Sequence, residues 1–129
     1  MEKVILLIDD DVDEHELFQA ALETVGNQWT FLSATGAGEA MSILERVTPD
    51  FIFLDINMPA KNGFACLADI KRLDHCRSVP VEMYSTSNAE VDRKMALAMG
   101  ACGYIQKTGS FQQLCRSVKE ALTTQQVIG

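Results

Sequence analysis

The sequence predicts a doubly wound α/β domain, a parallel sheet of five strands between two layers of helices, and three observations carry that prediction. Two continuous apolar runs, Val4–Ile8 and Phe51–Leu54, have the composition of strands covered on both faces. Segments with helical spacing separate the strand-like runs, so strand and helix alternate five times. Glycines and prolines fall singly between the segments, which leaves only short connections. Right-handed crossovers between parallel strands then distribute the helices over both faces.

The first strand, Val4–Ile8, runs into Asp9. Leu17, Phe18, Ala21, Leu22 and Val25 share one face of the first helix, with Asp11 and Glu14 as its capping box and Gly26-Asn27 as its stop. Trp29–Leu32 reads as the second strand, with Trp29 in a packing role. Ala40, Ile43, Leu44 and Val47 line a short second helix that Thr48-Pro49-Asp50 ends. After the Phe51 strand, Pro59–Gly63 is a loop, and Phe64, Leu67 and Ile70 open the third helix. Val81–Tyr84 forms the fourth strand behind Pro80. Ser87 with Glu90 is a second capping box, starting a helix that carries Val91, Met95, Ala98 and Met99 before Gly100. Gly103–Gln106 is the fifth strand. Ser110 with Gln113 is a third capping box, and Phe111, Leu114, Cys115, Val118 and Leu122 form the cleanest amphipathic stripe, in a helix reaching about Thr124.

With 129 residues, one domain covering 1–129 is expected. Apolar residues make up 47% and charged residues 22%, which is ordinary globular usage and not that of a disordered chain. The early apolar run of five residues is far short of a signal-peptide core or of a membrane span of about 20, so a cytoplasmic protein is expected. A net charge of −7 argues against binding nucleic acid directly. Cys66, Cys76, Cys102 and Cys115 have no metal-site or C-x-x-C spacing and are expected to be buried, reduced thiols.

Ligands of such sheets bind at the carboxyl ends of the strands, near the point where the strand order reverses. Asp9, Asp10 and Asp11 follow strand one. Asp55 and Asn57 follow strand three, Ser85 and Thr86 follow strand four, and Lys107 follows strand five. Carboxylates gathered at one edge repel each other, and a hard divalent cation with oxygen ligands relieves this. Mg²⁺, which binds through one or two carboxylates and keeps several waters, is the natural candidate. A carboxylate beside Mg²⁺, with a lysine and a hydroxyl aimed at the same point, meets the needs of phosphoryl transfer to an aspartate. His15 and His75 are expected outside this crevice, as solvated residues.

Ile8-Asp9-Asp10, Leu54-Asp55-Ile56-Asn57-Met58-Pro59 with Gly63, Ser85, Gly103-Tyr104 and Lys107 together resemble a receiver domain of a two-component response regulator, over essentially the whole chain. The resemblance implies a flavodoxin-like fold, a five-stranded sheet in the order 2-1-3-4-5. It makes Asp55 the phosphoryl acceptor. Asp10 would bind Mg²⁺ directly, Asp9 would help directly or through water, and the Asn57 backbone carbonyl would complete the ligands. Ser85 would be the switch hydroxyl, Lys107 would pair with the phosphoryl group, and the Tyr104 ring would turn inward in the active state. The donor would be a sensor histidine kinase or a histidine phosphotransfer protein. A downstream protein would read the surface of the fourth helix, fifth strand and fifth helix, and the protein would be a monomer or a weak dimer, with no role for nucleic acid or membrane. Asn57 and Ser87 would flank the path of an attacking water, and neither is a strong base, so no rapid built-in hydrolysis is expected.

Three residues depart from the family pattern. Thr108-Gly109 follows Lys107 in place of the usual proline, which predicts a trans peptide and a more mobile loop. Glu82 falls within the apolar fourth strand and should face a wet edge or a partner. Ser85 replaces the commoner threonine and loses its rotamer stiffness. From Met1 and the polar Thr123–Gln126 tail, the chain is expected to be a natural whole without an output domain. Two rival readings remain at this stage. One is a haloacid-dehalogenase-type aspartyl-phosphate phosphatase, in which Asp9 of an Asp9-x-Asp11 motif is the nucleophile. The other is a receiver-like binding module that works without phosphorylation. A nucleotide- or flavin-binding module fits poorly, because the first loop holds carboxylates where a phosphate cradle needs glycines.

Overall fold

The computed structural model describes residues 2–26 and 28–127. Five strands alternate with five helices: β1 Lys3–Ile8, α1 Val12–Val25, β2 Trp29–Ala34, α2 Ala37–Leu44, β3 Phe51–Asp55, α3 Gly63–Arg72, β4 Val81–Ser85, α4 Glu90–Ala98, β5 Gly103–Gln106 and α5 Phe111–Thr124. A single 3₁₀ turn, Asp74–Cys76, links α3 to β4. All pairings are parallel and the strand order is β2-β1-β3-β4-β5, the flavodoxin-like order expected.

Period-two alternation along the central strands divides the core in two. Leu6, Ile8, Ile52, Leu54, Val81 and Met83 face α2, α3 and α4. Ile5, Leu7, Phe51, Phe53, Tyr84 and Ile105 face α1 and α5. On that second face Phe18 and Phe53 meet at 4.6 Å between ring centroids. Burying a side chain of this size contributes about 1.5–3 kcal/mol. β3 is buried throughout, which is why its sequence is continuously apolar up to Asp55. Trp29 packs at the rim of the second core, its indole N–H donating to the Leu22 and Gly26 carbonyls at 3.0 Å.

The elements match the sequence reading, with differences at their ends. β2 runs on to Ala34, and α2 stops at Leu44, before Val47. None of the three capping boxes closes reciprocally. Asp11 does cap α1, but its side chain accepts from the Asp13 N–H, and the Glu14 carboxylate is taken instead by the Tyr84 hydroxyl. Ser87 does not cap α4, which starts at Glu90; its hydroxyl accepts from the Ala89 N–H and donates to Asp92. Ser110 caps α5 through the Gln113 N–H, while the Gln113 side chain turns to Ser117 and Arg116. Gly26 ends α1 with its N–H on the Leu22 carbonyl; Asn27, the other half of that stop, and Met1 lie outside the described residues. Leu17 and Phe111, placed on core faces by their spacing, are 47% and 39% exposed. All four cysteines are free, but only Cys66 and Cys76 are buried; Cys102 and Cys115 are half-buried.

Candidate functional site

The chain leaves the centre of the sheet in one direction from β1 and in the other from β3, so the strand order reverses between these neighbours. Their carboxyl ends deliver Asp9 and Asp55, which are 0% and 4% exposed, beside the exposed Asp10. The three carboxylates lie within 4.8 Å of one another and could hold a metal ion. Gly63 fixes the loop behind Asp55: its N–H donates to the Ile56 carbonyl at 2.8 Å, and a Cβ on it would collide with the Asp55 carbonyl. The glycine of the Met58-Pro59-x-x-x-Gly63 motif is therefore a packing requirement of the site.

Lys107 reaches the same point from β5. Its backbone N–H donates to the Ser85 carbonyl at 2.6 Å, and its ammonium donates to Asp9 Oδ2 at 2.7 Å and lies 3.7 Å from Asp55 Oδ1. The other Asp9 oxygen accepts from the Asp11 N–H at 3.0 Å. Burial, then the neighbouring Asp9 charge, push the Asp55 carboxyl up to about 7, against a smaller opposing pull from Lys107. Burial alone would lower the Lys107 ammonium, but its hydrogen bond to Asp9 and the charges of Asp9, Asp55 and Glu14 leave it above the ordinary lysine value. One lysine thus faces three carboxylates, and the remaining negative charge is what a divalent cation would neutralise.

Ser85 is fully buried at the end of β4. Its hydroxyl accepts from the Ser87 N–H at 3.2 Å and lies 3.5 Å from the Asn57 side-chain amide, so it stands next to the carboxylates without bonding them. The Asn57 backbone N–H is 3.4 Å from Asp55 Oδ1. Tyr104 lies inward, 8% exposed, with its hydroxyl donating to the Ser87 carbonyl at 2.8 Å and the Arg93 guanidinium 5.1 Å above its ring. No cis peptide occurs among the described residues, as expected after Lys107 without proline.

One expectation needs correction. His15 is half-buried, its Nε2–H donating to the Asp9 backbone carbonyl at 2.6 Å, whereas His75 is exposed as expected, with its Nε2–H on the Leu44 carbonyl at 2.6 Å. Glu82 lines an open cleft between the edge strand β5 and α5 with Gly103, Ser117 and Glu120, although it is only 8% exposed there. It accepts from the Cys102 thiol at 3.3 Å, and burial pushes its carboxyl above the usual range. The residues that sequence reasoning missed at the crevice are Tyr84 and Glu14. Tyr84 stands under the Lys107 ammonium, 4.9 Å from ring centroid to Nζ, and its hydroxyl donates to Glu14 at 2.7 Å. A tyrosine in an apolar strand reads as core, and only its polar tip, which seeks a partner when buried, hinted at more.

Comparison with known proteins agrees with this geometry. The family model of the response regulator receiver domain matches residues 5–119. The crystal structure of the phosphorylated cyanobacterial phytochrome response regulator RcpA superposes with a TM-score of 0.85 at 30% identity, covering 95% of this chain and 92% of that one. The Mn²⁺-bound response regulator Rcp1 gives 0.82 at 27% identity, covering 94% and 92%. PilH of Pseudomonas aeruginosa is 28% identical over 118 residues, 92% of this chain and 96% of that protein. Transcriptional regulators are also among the relatives, and the chain spans about half their length. The phosphatase reading needed Asp11 as its motif partner, yet Asp11 is an exposed helix cap, and the family that matches is that of receivers. That reading falls, and the chain belongs to the response regulator receiver domain family.

Proposed function

We propose that this receiver is a phosphorylation-controlled switch in which Asp55 accepts a phosphoryl group from a phosphohistidine of a sensor kinase or phosphotransfer protein. The observation that carries the reading is the Lys107 ammonium, held 2.7 Å from Asp9 and 3.7 Å from Asp55 above three carboxylates that face one point. An Asp55 oxygen forms the new P–O bond, the donor's P–N bond breaks, and the leaving imidazole nitrogen takes up a proton. Lys107 neutralises charge on the transferred oxygens and Ser85 donates a hydrogen bond to one of them. Asp10, Asp9, Asp55 and the Asn57 carbonyl would hold Mg²⁺, which when bound supplies the second positive charge on those oxygens.

Ser85 and Tyr104 carry the state outward. Both are tied to the Ser87 backbone, Ser85 through the N–H and Tyr104 through the carbonyl, so a pull on the Ser85 hydroxyl is felt at the Tyr104 ring. A downstream protein would then read the α4-β5-α5 face. The match to nearly the whole of PilH supports a single-domain regulator occupying 1–129. A cytoplasmic location and a monomer or weak dimer complete the proposal.

The test is incubation with acetyl phosphate and Mg²⁺, with intact-mass and peptide mapping. A Mg²⁺-dependent adduct on Asp55 that is absent from Asp55→Asn is expected. A folded protein that takes up no phosphoryl group from several donors would instead support the binding-module reading.

A further inference from the structure

We infer that Tyr84 is a positioning residue for Lys107: its ring holds the ammonium between Asp9 and Asp55. The inference rests on the phosphoryl-acceptor reading above. A lysine has a long, flexible stem, and holding its ammonium at one point costs rotamer freedom that a neighbouring wall must offset. The loop beyond Lys107 offers no wall, because Thr108, Gly109 and Ser110 are exposed. The wall lies below. Lys107 Nζ is 4.9 Å from the centroid of the Tyr84 ring, whose negative face attracts a cation.

The ring is itself immobilised from two sides. Phe18, fully buried on α1, meets it edge-on at 5.6 Å and 67°, and the hydroxyl donates to Glu14 Oε2 at 2.7 Å. Tyr84 is 3% exposed, so its hydroxyl had to find a partner inside the fold, and the partner it finds is an acid whose charge also acts on Lys107. Packing alone would be met by leucine, which offers the ammonium no ring face. Of the contacts to the ammonium, the bond to Asp9 uses a carboxylate that a divalent cation would also claim, whereas the ring competes for nothing. The ring is therefore the contact that stays with Lys107 when the crevice is loaded.

The experiment combines Tyr84→Phe and Tyr84→Leu with wild type. In proton–carbon spectra of the wild-type chain, the Lys107 Hε resonances should be shifted upfield by the ring below them. The shift should persist in Tyr84→Phe and vanish in Tyr84→Leu. In the acetyl phosphate assay Tyr84→Leu should take up the phosphoryl group about three- to tenfold more slowly, while Tyr84→Phe stays within about twofold of wild type. Mg²⁺ affinity should change by less than about twofold in both, because the carboxylates are untouched. A general distortion of the site would weaken Mg²⁺ binding together with the rate, and would overturn the inference. So would unshifted Lys107 resonances in wild type, a result that stands even if Tyr84→Leu fails to fold, or a Tyr84→Leu rate equal to wild type. Absence of any Asp55 adduct in wild type would sink the acceptor reading instead, leaving the spectra to decide the contact.

Discussion

Asp55 and Glu82 are both buried carboxyls on neighbouring central strands, 4% and 8% exposed, and burial raises both. Their surroundings differ in kind. Asp55 ends its strand in a crevice where one ammonium offsets part of the repulsion from two further carboxylates. Glu82 lies in mid-strand beneath α5, where a thiol is its hydrogen-bond donor, Glu120 adds repulsion and Arg93 only a weak pull. Room for it comes from Gly103, since a Cβ there would fall 2.5 Å from Glu82 Oε2. The contrast shows two ways of keeping an acid inside a sheet: set a cation beside it, or supply space and a neutral hydrogen-bond donor.

The largest effect should come from removing the opposite charge. Lys107→Ala leaves Asp9 buried without its partner, and urea unfolding at pH 7 without metal should show a loss of about 2–4 kcal/mol. Added Mg²⁺ should restore part of it; a loss below about 1 kcal/mol would mean the crevice tolerates bare carboxylates. At the other acid, Gly103→Ala should cost about 1–2 kcal/mol by pressing a methyl on the Glu82 carboxylate. Combining it with Glu82→Ala should recover most of that loss, and additive single effects would show that the two residues do not compete for space.

The smallest effect concerns the proton. Because the folded pKa of Glu82 lies above its ordinary 4.5, the folded chain holds the proton longer than the unfolded one. Its contribution is complete below that value and declines as pH rises toward the folded pKa. Glu82→Gln should therefore be about as stable as wild type at pH 4 and more stable than it at pH 7, the advantage growing as pH rises. An advantage independent of pH would point to packing instead of charge.

The alternation of strands and helices was legible because burial on both faces leaves continuous runs rich in Val, Ile, Leu and Phe, whereas the apolar runs of α3 and α4, Phe64–Ala68 and Met95–Met99, are broken up by alanine. The crevice was legible for a related reason: where such a run stops, the next residue is polar, and Asp9, Asp55, Ser85 and Lys107 are the residues at or just past those stops. Contacts between distant segments were not legible. Glu14 sits three residues after Asp11, as a capping box asks, yet its carboxylate binds Tyr84, 70 residues away. Ser87 with Glu90 shows the same conflict, with Asp92 taking the hydroxyl. His15 looked solvated because nothing local reveals that the α1 start folds back on the Asp9 carbonyl. Only Glu14 loses its local role to a distant partner; Asp92 lies five residues from Ser87 and the Asp9 carbonyl six from His15, so there one local contact displaces another.

The close fit of Gly63 against the Asp55 backbone also constrains how this chain can vary. Surface loops commonly gain and lose residues without harm. The stretch from Ile56 to Gly63 is a clasp of set length, shut by the Gly63 N–H on the Ile56 carbonyl and leaving no space for a side chain at its closing residue. Insertions or deletions there would unseat the strand end that bears Asp55, so this loop should accept changes of residue far more readily than changes of length.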